Sequence, residues 1–127
     1  MERAKTIRTN VAELSFDERG FIRLKLLNTD SVFDLAEAKN QFEAARILSN
    51  NQPYKVLVDT RQAFVTPDKE AENFITQAQF RKAEAIIITS LHYRIIAKFY
   101  VKRLKHIHVK VFRNEGEAID WLLSLSI

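Results

Sequence analysis

The sequence predicts an α/β fold: a mixed, mostly parallel sheet of about five strands with about four helices packed on it. Three observations carry that prediction. Short β-branched runs alternate with segments of helical period along the later part of the chain. One of those runs, Ala85-Ile86-Ile87-Ile88, is continuously apolar, as strands covered on both faces are. Two alternating segments flank Asp17-Glu18-Arg19-Gly20 near the start, the pattern of a β-hairpin that adds an antiparallel edge.

The elements follow in order. Val11 to Phe16 alternates apolar and polar residues, Gly20 supplies a turn position able to take positive φ, and Phe21 to Leu26 resumes the alternation. Asn28-Thr29-Asp30-Ser31 is a cluster of turn and cap residues, after which Leu35, Ala38, Phe42, Ala45 and Leu48 recur at helical spacing as far as Asn50-Asn51. Pro53 stops that helix, and Tyr54 to Asp59 follows as a buried central strand. Thr66-Pro67-Asp68 opens a second helix, with threonine as N-cap and proline at the first helical position, and Phe74, Ile75, Ala78 and Gln79 on its inner face. Ala83 to Thr89 is the next strand, and Ser90 then caps a third helix whose inner stripe is Leu91, Ile95, Ile96, Phe99, Tyr100 and Leu104. His108 to Phe112 is the last strand. Asn114, with Glu117 three positions on, opens a final helix on which Trp121, Leu122, Leu123 and Ile127 close the core.

With 127 residues, 46% hydrophobic and 28% charged, the chain fits one domain with one continuous core, spanning 1–127. Two glycines and two prolines leave no flexible linker. Met1 to Asn10 holds Glu2, Arg3, Lys5 and Arg8 with no apolar stretch behind them, which points away from a secretory signal and toward the cytosol. No apolar run approaches the roughly 20 residues of a membrane span. The lack of cysteine removes thiolate nucleophiles, disulfides and Cys-type zinc sites.

Four segments, Asp34 to Ala45, Val56 to Arg61, Ala83 to Ser90 and Val111 to Leu122, together resemble the bacterial anti-sigma-factor-antagonist (STAS-like) proteins. The resemblance spans most of the chain and implies the STAS-like fold and a non-enzymatic protein-interaction or regulatory role. Antagonists of that family carry a phosphorylatable serine in an Asp-Ser-Ser-Gly segment at the start of the helix after the central strand. Here the corresponding stretch is Ala63-Phe64-Val65-Thr66-Pro67-Asp68, without that signature. Thr66 is its hydroxyl, with two readings: a phosphate acceptor and an ordinary helix cap.

Candidate surfaces come from charge and position. From Ala85 to Asn114 there is no Asp or Glu, and Arg94, Lys98, Lys102 and Lys105 recur at helical spacing, a cationic stripe that suits an acidic protein surface, nucleic acid or an anionic membrane, or is simply solvated. Little aromatic interleaving accompanies it, which disfavours nucleic acid. Asp59-Thr60-Arg61 follows the carboxyl end of the central strand, where open α/β sheets place their ligand crevices; Asp59 pairing with Arg61 is the structural alternative. His106 and His108 alternate on a strand but lack the further ligands a metal needs, and His92 has no catalytic partner at a recognisable spacing. No glycine-rich loop follows a strand, so no cofactor is implied. A protein partner of unknown identity, or a second copy of the chain as a homodimer, is the leading expectation. The alternative is a small-ligand or lipid carrier, for which nine phenylalanines supply lining.

Overall fold

A computed structural model describes residues 5–78, 80–104 and 107–126. The expectations placed on Gln79, Lys105, His106 and Ile127 lie outside the described residues.

Strands β1 (Thr6–Arg8), β2 (Ala12–Asp17) and β3 (Phe21–Leu26) form an antiparallel meander. Strands β4 (Tyr54–Asp59), β5 (Arg81–Ile87) and β6 (His108–Phe112) extend it in parallel, so the sheet runs β1 to β6 in chain order. The sheet thus has six strands where the sequence predicts five. The extra one, β1, is only three residues long, too short to show a period of two, and pairs with β2. At the hairpin, Gly20 sits at φ +109° and donates its N–H to the Asp17 carbonyl at 2.8 Å.

The four helices are α1 (Leu35–Leu48), α2 (Lys69–Gln77), α3 (Leu91–Arg103) and α4 (Glu115–Ser124). The crossover helices α1, α2 and α3 pack on one face of the sheet, as crossovers of one hand advancing in one direction must. Helix α4 follows the last strand, is not a crossover, and covers the other face above β4 to β6. The apolar run of β5 therefore divides by alternation. Ile86 and Ile88 pack with Val56 and Val58 beneath Ala44, Ala45 and Ala97, whereas Ala85 and Ile87 pack with Leu57 against Ala118, Ile119 and Leu122. Trp121 is half-buried against Phe112, with ring centroids 5.6 Å apart. Its neighbour Leu123 is exposed rather than part of that core.

Two helix assignments differ from expectation. Helix α2 is capped by Asp68, whose carboxylate accepts from the Ala71 N–H at 2.9 Å, and not by Thr66, which is exposed two residues earlier. The Asp68 N–H donates to the Phe33 carbonyl at 2.9 Å. That bond ties the approach to α2 onto the segment leading into α1, so Pro67 lies in the approach and not in the first turn. Asp68→Ala is expected to cost about 1 kcal/mol and Thr66→Ala less than about 0.5 kcal/mol, compared by urea denaturation.

Helix α3 is the second difference. Of the predicted inner stripe, Leu104 is buried just past the helix and Tyr100 is half-buried, while Leu91, Ile95, Ile96 and Phe99 are exposed, and Ala97 takes the inward position instead. The helix carries apolar side chains nearly all the way round, so spacing alone does not choose its inward face. Arg94 lies on the buried edge, where its Nε has no partner among the described residues, and Lys98 and Lys102 are exposed. The three cations therefore do not share one solvated face.

Candidate functional site

The side chain at position 97 of α3 is only a methyl group, and the helix leans on the sheet there without filling the space beside it. A cavity of about 340 Å³ results between the sheet, α2 and α3. Its walls are Leu24, Leu26, Val58, Ile86 and Ile88 from the strands, Ile75 from α2, and Ile96, Ala97 and Phe99 from α3. The loop Phe64 to Pro67 closes one end, and stacking of Phe64 on Tyr93, centroids 4.3 Å apart, fastens that loop to the start of α3. An ion pair between Arg103 and Glu72 joins α3 to α2 at the lining.

A second charged pair of the lining lies buried on the sheet. Glu84 alternates in phase with Ile86 and Ile88, so its carboxylate points under the helices and is 3% exposed. Arg81 Nη1 donates to Glu84 Oε1 at 2.5 Å, and the Tyr100 hydroxyl stands 3.5 Å from each carboxylate oxygen. Burial works against charge on Arg81, but the adjacent Glu84 carboxylate outweighs it and holds the guanidinium above its ordinary pKa. Burial, reinforced by Glu84, pushes the Tyr100 phenol well above its usual range and keeps it a neutral hydroxyl. Arg81 Nε is buried with no partner among the described residues.

Nothing in the sequence assigns these three residues to a site, although Tyr100 falls on the predicted inner stripe of α3. The signal was a lone acid at position 84 inside a strand buried on both faces, with an arginine three residues before it.

The residues expected to form a site divide between the two faces. Thr60 and Thr66 line the cavity; Thr60 Oγ1 donates to the Ile87 carbonyl at 2.7 Å. Asp59 and Arg61 belong to an ion network away from the cavity. Asp59 accepts from the Arg61 backbone N–H and Nε at 2.9 Å and from Nη2 at 2.8 Å, and Nη2 also donates to Glu115 at 2.7 Å. Glu115 accepts in turn from Arg23 at 2.9 Å, and Arg23 and Arg19 both donate to Asp17. Three carboxylates and three guanidiniums thus satisfy one another.

The network makes a pH prediction. The Arg19 guanidinium holds the Asp17 carboxyl well below the usual range, and Arg23 and Arg61 lower Glu115. Burial would raise Asp59, but bonds from Arg61 overcome it, so Asp59 is lowered too. Each folded-state value lies below the unfolded one. The network therefore stabilises the fold above the ordinary carboxylate pKa of about 4, and that contribution is lost as pH falls through the lowered values. Urea midpoints are expected to decline below about pH 4, and Asp17→Asn is expected to flatten the decline.

The outer face of α3 is the other notable surface. Leu91 is 64% exposed, Ile95 50% and Phe99 59%. They form a line along the helix that Arg103 continues, with Lys98 and Lys102 on one side and His92 on the other, and α3 contains no acid. Among the described residues no helix is long and apolar enough to cross a membrane.

The sequence model of a family described as a domain of unknown function, DUF7793, matches residues 20–126. The chain belongs to the DUF7793 family. Among solved structures, this DUF7793 chain is similar to an uncharacterized DUF3478 family protein with a SpoIIAA-like fold from Shewanella loihica PV-4. The match has a TM-score of 0.61 at 12% identity and covers 91% of this chain and 98% of that one. At that identity the likeness establishes the fold, which is SpoIIAA-like, as the STAS-like resemblance of the sequence implies. No curated protein matches the DUF7793 chain.

Proposed function

We propose that this DUF7793 chain is a non-enzymatic, cytosolic binding module that holds one small amphipathic molecule between its sheet and α3. One observation carries the reading: an apolar cavity of about 340 Å³ whose charged lining residues are paired with one another, Arg81 with Glu84 and Arg103 with Glu72. Small-molecule sites have this form, with apolar walls for affinity and a few polar groups for orientation, and volumes upward of roughly 300 Å³. The test is titration with the uncharged fluorescent probe N-phenyl-1-naphthylamine, beside native mass spectrometry of the protein purified without added ligand. One probe per chain is expected to bind, and Ile86→Trp, which fills the cavity, is expected to abolish binding while the circular dichroism spectrum is kept. An intact wild-type fold that leaves the probe in water overturns the reading.

A protein-interaction or regulatory role is the second reading, and the exposed Leu91, Ile95 and Phe99 flanked by basic residues favour it. A partner of acidic, apolar character is expected to be captured by the unmodified chain and lost when Phe99, Lys98 and Lys102 are all changed to Glu. Equal capture by both would remove α3 as the interface.

A further inference from the structure

Independently of what the cavity holds, we infer that the outer face of α3 docks on the surface of an anionic lipid bilayer. A helix packed on a sheet ordinarily turns a polar side to water. Helix α3 does not: Leu91, Ile95 and Phe99 stand exposed in one row, about 12 Å from first to last at the rise of an α-helix. Ile96, also exposed, widens the apolar surface on the side of the cavity. Lys98 and Lys102 are exposed on the other side of the row. No Asp or Glu occurs from Ala85 to Asn114, so this segment has no acid of its own to offset its cations. Glu72, the acid that α2 brings to α3, is already paired with Arg103, and Glu70 lies on the opposite edge of α2.

Both parts of that face are what a bilayer interface takes. Apolar side chains of an interfacial helix sink to the acyl boundary, while lysines reach back along their apolar stems to the phosphates. An anionic leaflet strengthens binding about fivefold for each lysine near it. A convex apolar row fits a protein only where the partner brings a groove of matching shape, whereas fluid lipid moulds to it. The exposed apolar side chains are chiefly aliphatic and give nucleic-acid bases little to stack on. The cavity adds a second observation. Ile96 and Phe99 belong to its wall as well as to the exposed surface, so apolar surface is continuous from the row to the cavity. Docked by α3, the domain sets that edge of the cavity against the acyl chains, where an apolar molecule dissolves.

The experiment is cosedimentation of the purified chain, at low salt, with vesicles of phosphatidylcholine alone and of phosphatidylcholine mixed with phosphatidylglycerol. The chain is expected to sediment with the mixed vesicles and to bind phosphatidylcholine alone about thirtyfold more weakly, the scale of two lysines. Lys98→Gln with Lys102→Gln is expected to bring the mixed vesicles down to that level. Lys5→Gln with Lys39→Gln, exposed elsewhere on the chain, is expected to change binding less than about twofold. Leu91→Ser with Ile95→Ser removes apolar contact without touching charge and is expected to weaken binding to both vesicles at least about tenfold. Neither residue lines the cavity, so this variant is expected to bind N-phenyl-1-naphthylamine as the wild type does, which separates the docking inference from the cavity reading. A wild-type chain that stays in the supernatant overturns the inference and returns the face to a protein partner. Equal binding to the two kinds of vesicle, equal losses from the two lysine pairs, or a Leu91, Ile95 variant that sediments like the wild type overturns it as well.

Discussion

Glu37→Ala is expected to lower the stability of the fold by about 3–5 kcal/mol and to free the β1 edge. The Glu37 carboxylate is 1% exposed, at the first turn of α1. It accepts from Thr9 Oγ1 at 2.5 Å, from the Asn10 and Val11 backbone N–H groups at 3.1 and 3.2 Å, and from Gln41 Nε2 at 2.8 Å. Four donors around the β1–β2 connection thus share one side chain. Alanine would leave two backbone N–H groups and an amide unmet, each at about 1–3 kcal/mol where water cannot reach. Glu37→Gln keeps the shape and one acceptor oxygen, and is expected to cost roughly half as much. Urea midpoints measure the first quantity, and amide exchange at Asn10 and Val11 reads the second. Unchanged exchange there in Glu37→Ala would show that the connection is held by something else.

Glu84→Ala is expected to be comparably damaging, by about 3–5 kcal/mol, because it leaves the Arg81 guanidinium buried opposite nothing. The cost lies in the orphaned charge rather than in the lost pair. Arg81→Met with Glu84→Leu is accordingly expected to recover most of the loss, because apolar side chains of similar volume replace a buried ion pair at little net cost. A double-mutant cycle on urea midpoints isolates the coupling. Additive losses from the two single substitutions would mean that the pair is solvated and that this part of the cavity is wet.

How much of the molecule was legible in the sequence depended on how local each feature is. The helix starts at Ser90 and Asn114 are bonds across three residues, Ser90 Oγ accepting from the Tyr93 N–H and Asn114 Oδ1 from that of Glu117, and spacing shows both. The apolar run of β5 likewise announces its burial on both faces. β1 is different: three residues show no period, and the connection that turns it onto β2 is tied by Glu37, whose bonds reach back 26 to 28 residues. The pairing of Arg61 with Asp59, two residues away, was legible as the structural alternative, whereas its extension to Glu115, 54 positions away, was not. For α3, an apolar side chain on nearly every side left the choice of face to tertiary packing, and Ala97, the least conspicuous of them, turned inward together with Tyr100. The cavity is a consequence of that choice. A void between elements has no sequence signature, although the acid at position 84 marked one of its walls.

The strand order has a kinetic consequence. Every strand pairs with the one made just before it, and none must insert between two already joined. Each pairing closes only the loop formed by the hairpin or crossover that precedes it, so the entropy of loop closure is met in small instalments. The sheet can therefore zip from the amino-terminal meander outward in the direction of synthesis. Refolding is expected to be faster than for a doubly wound sheet of similar size whose first strand ends in the middle.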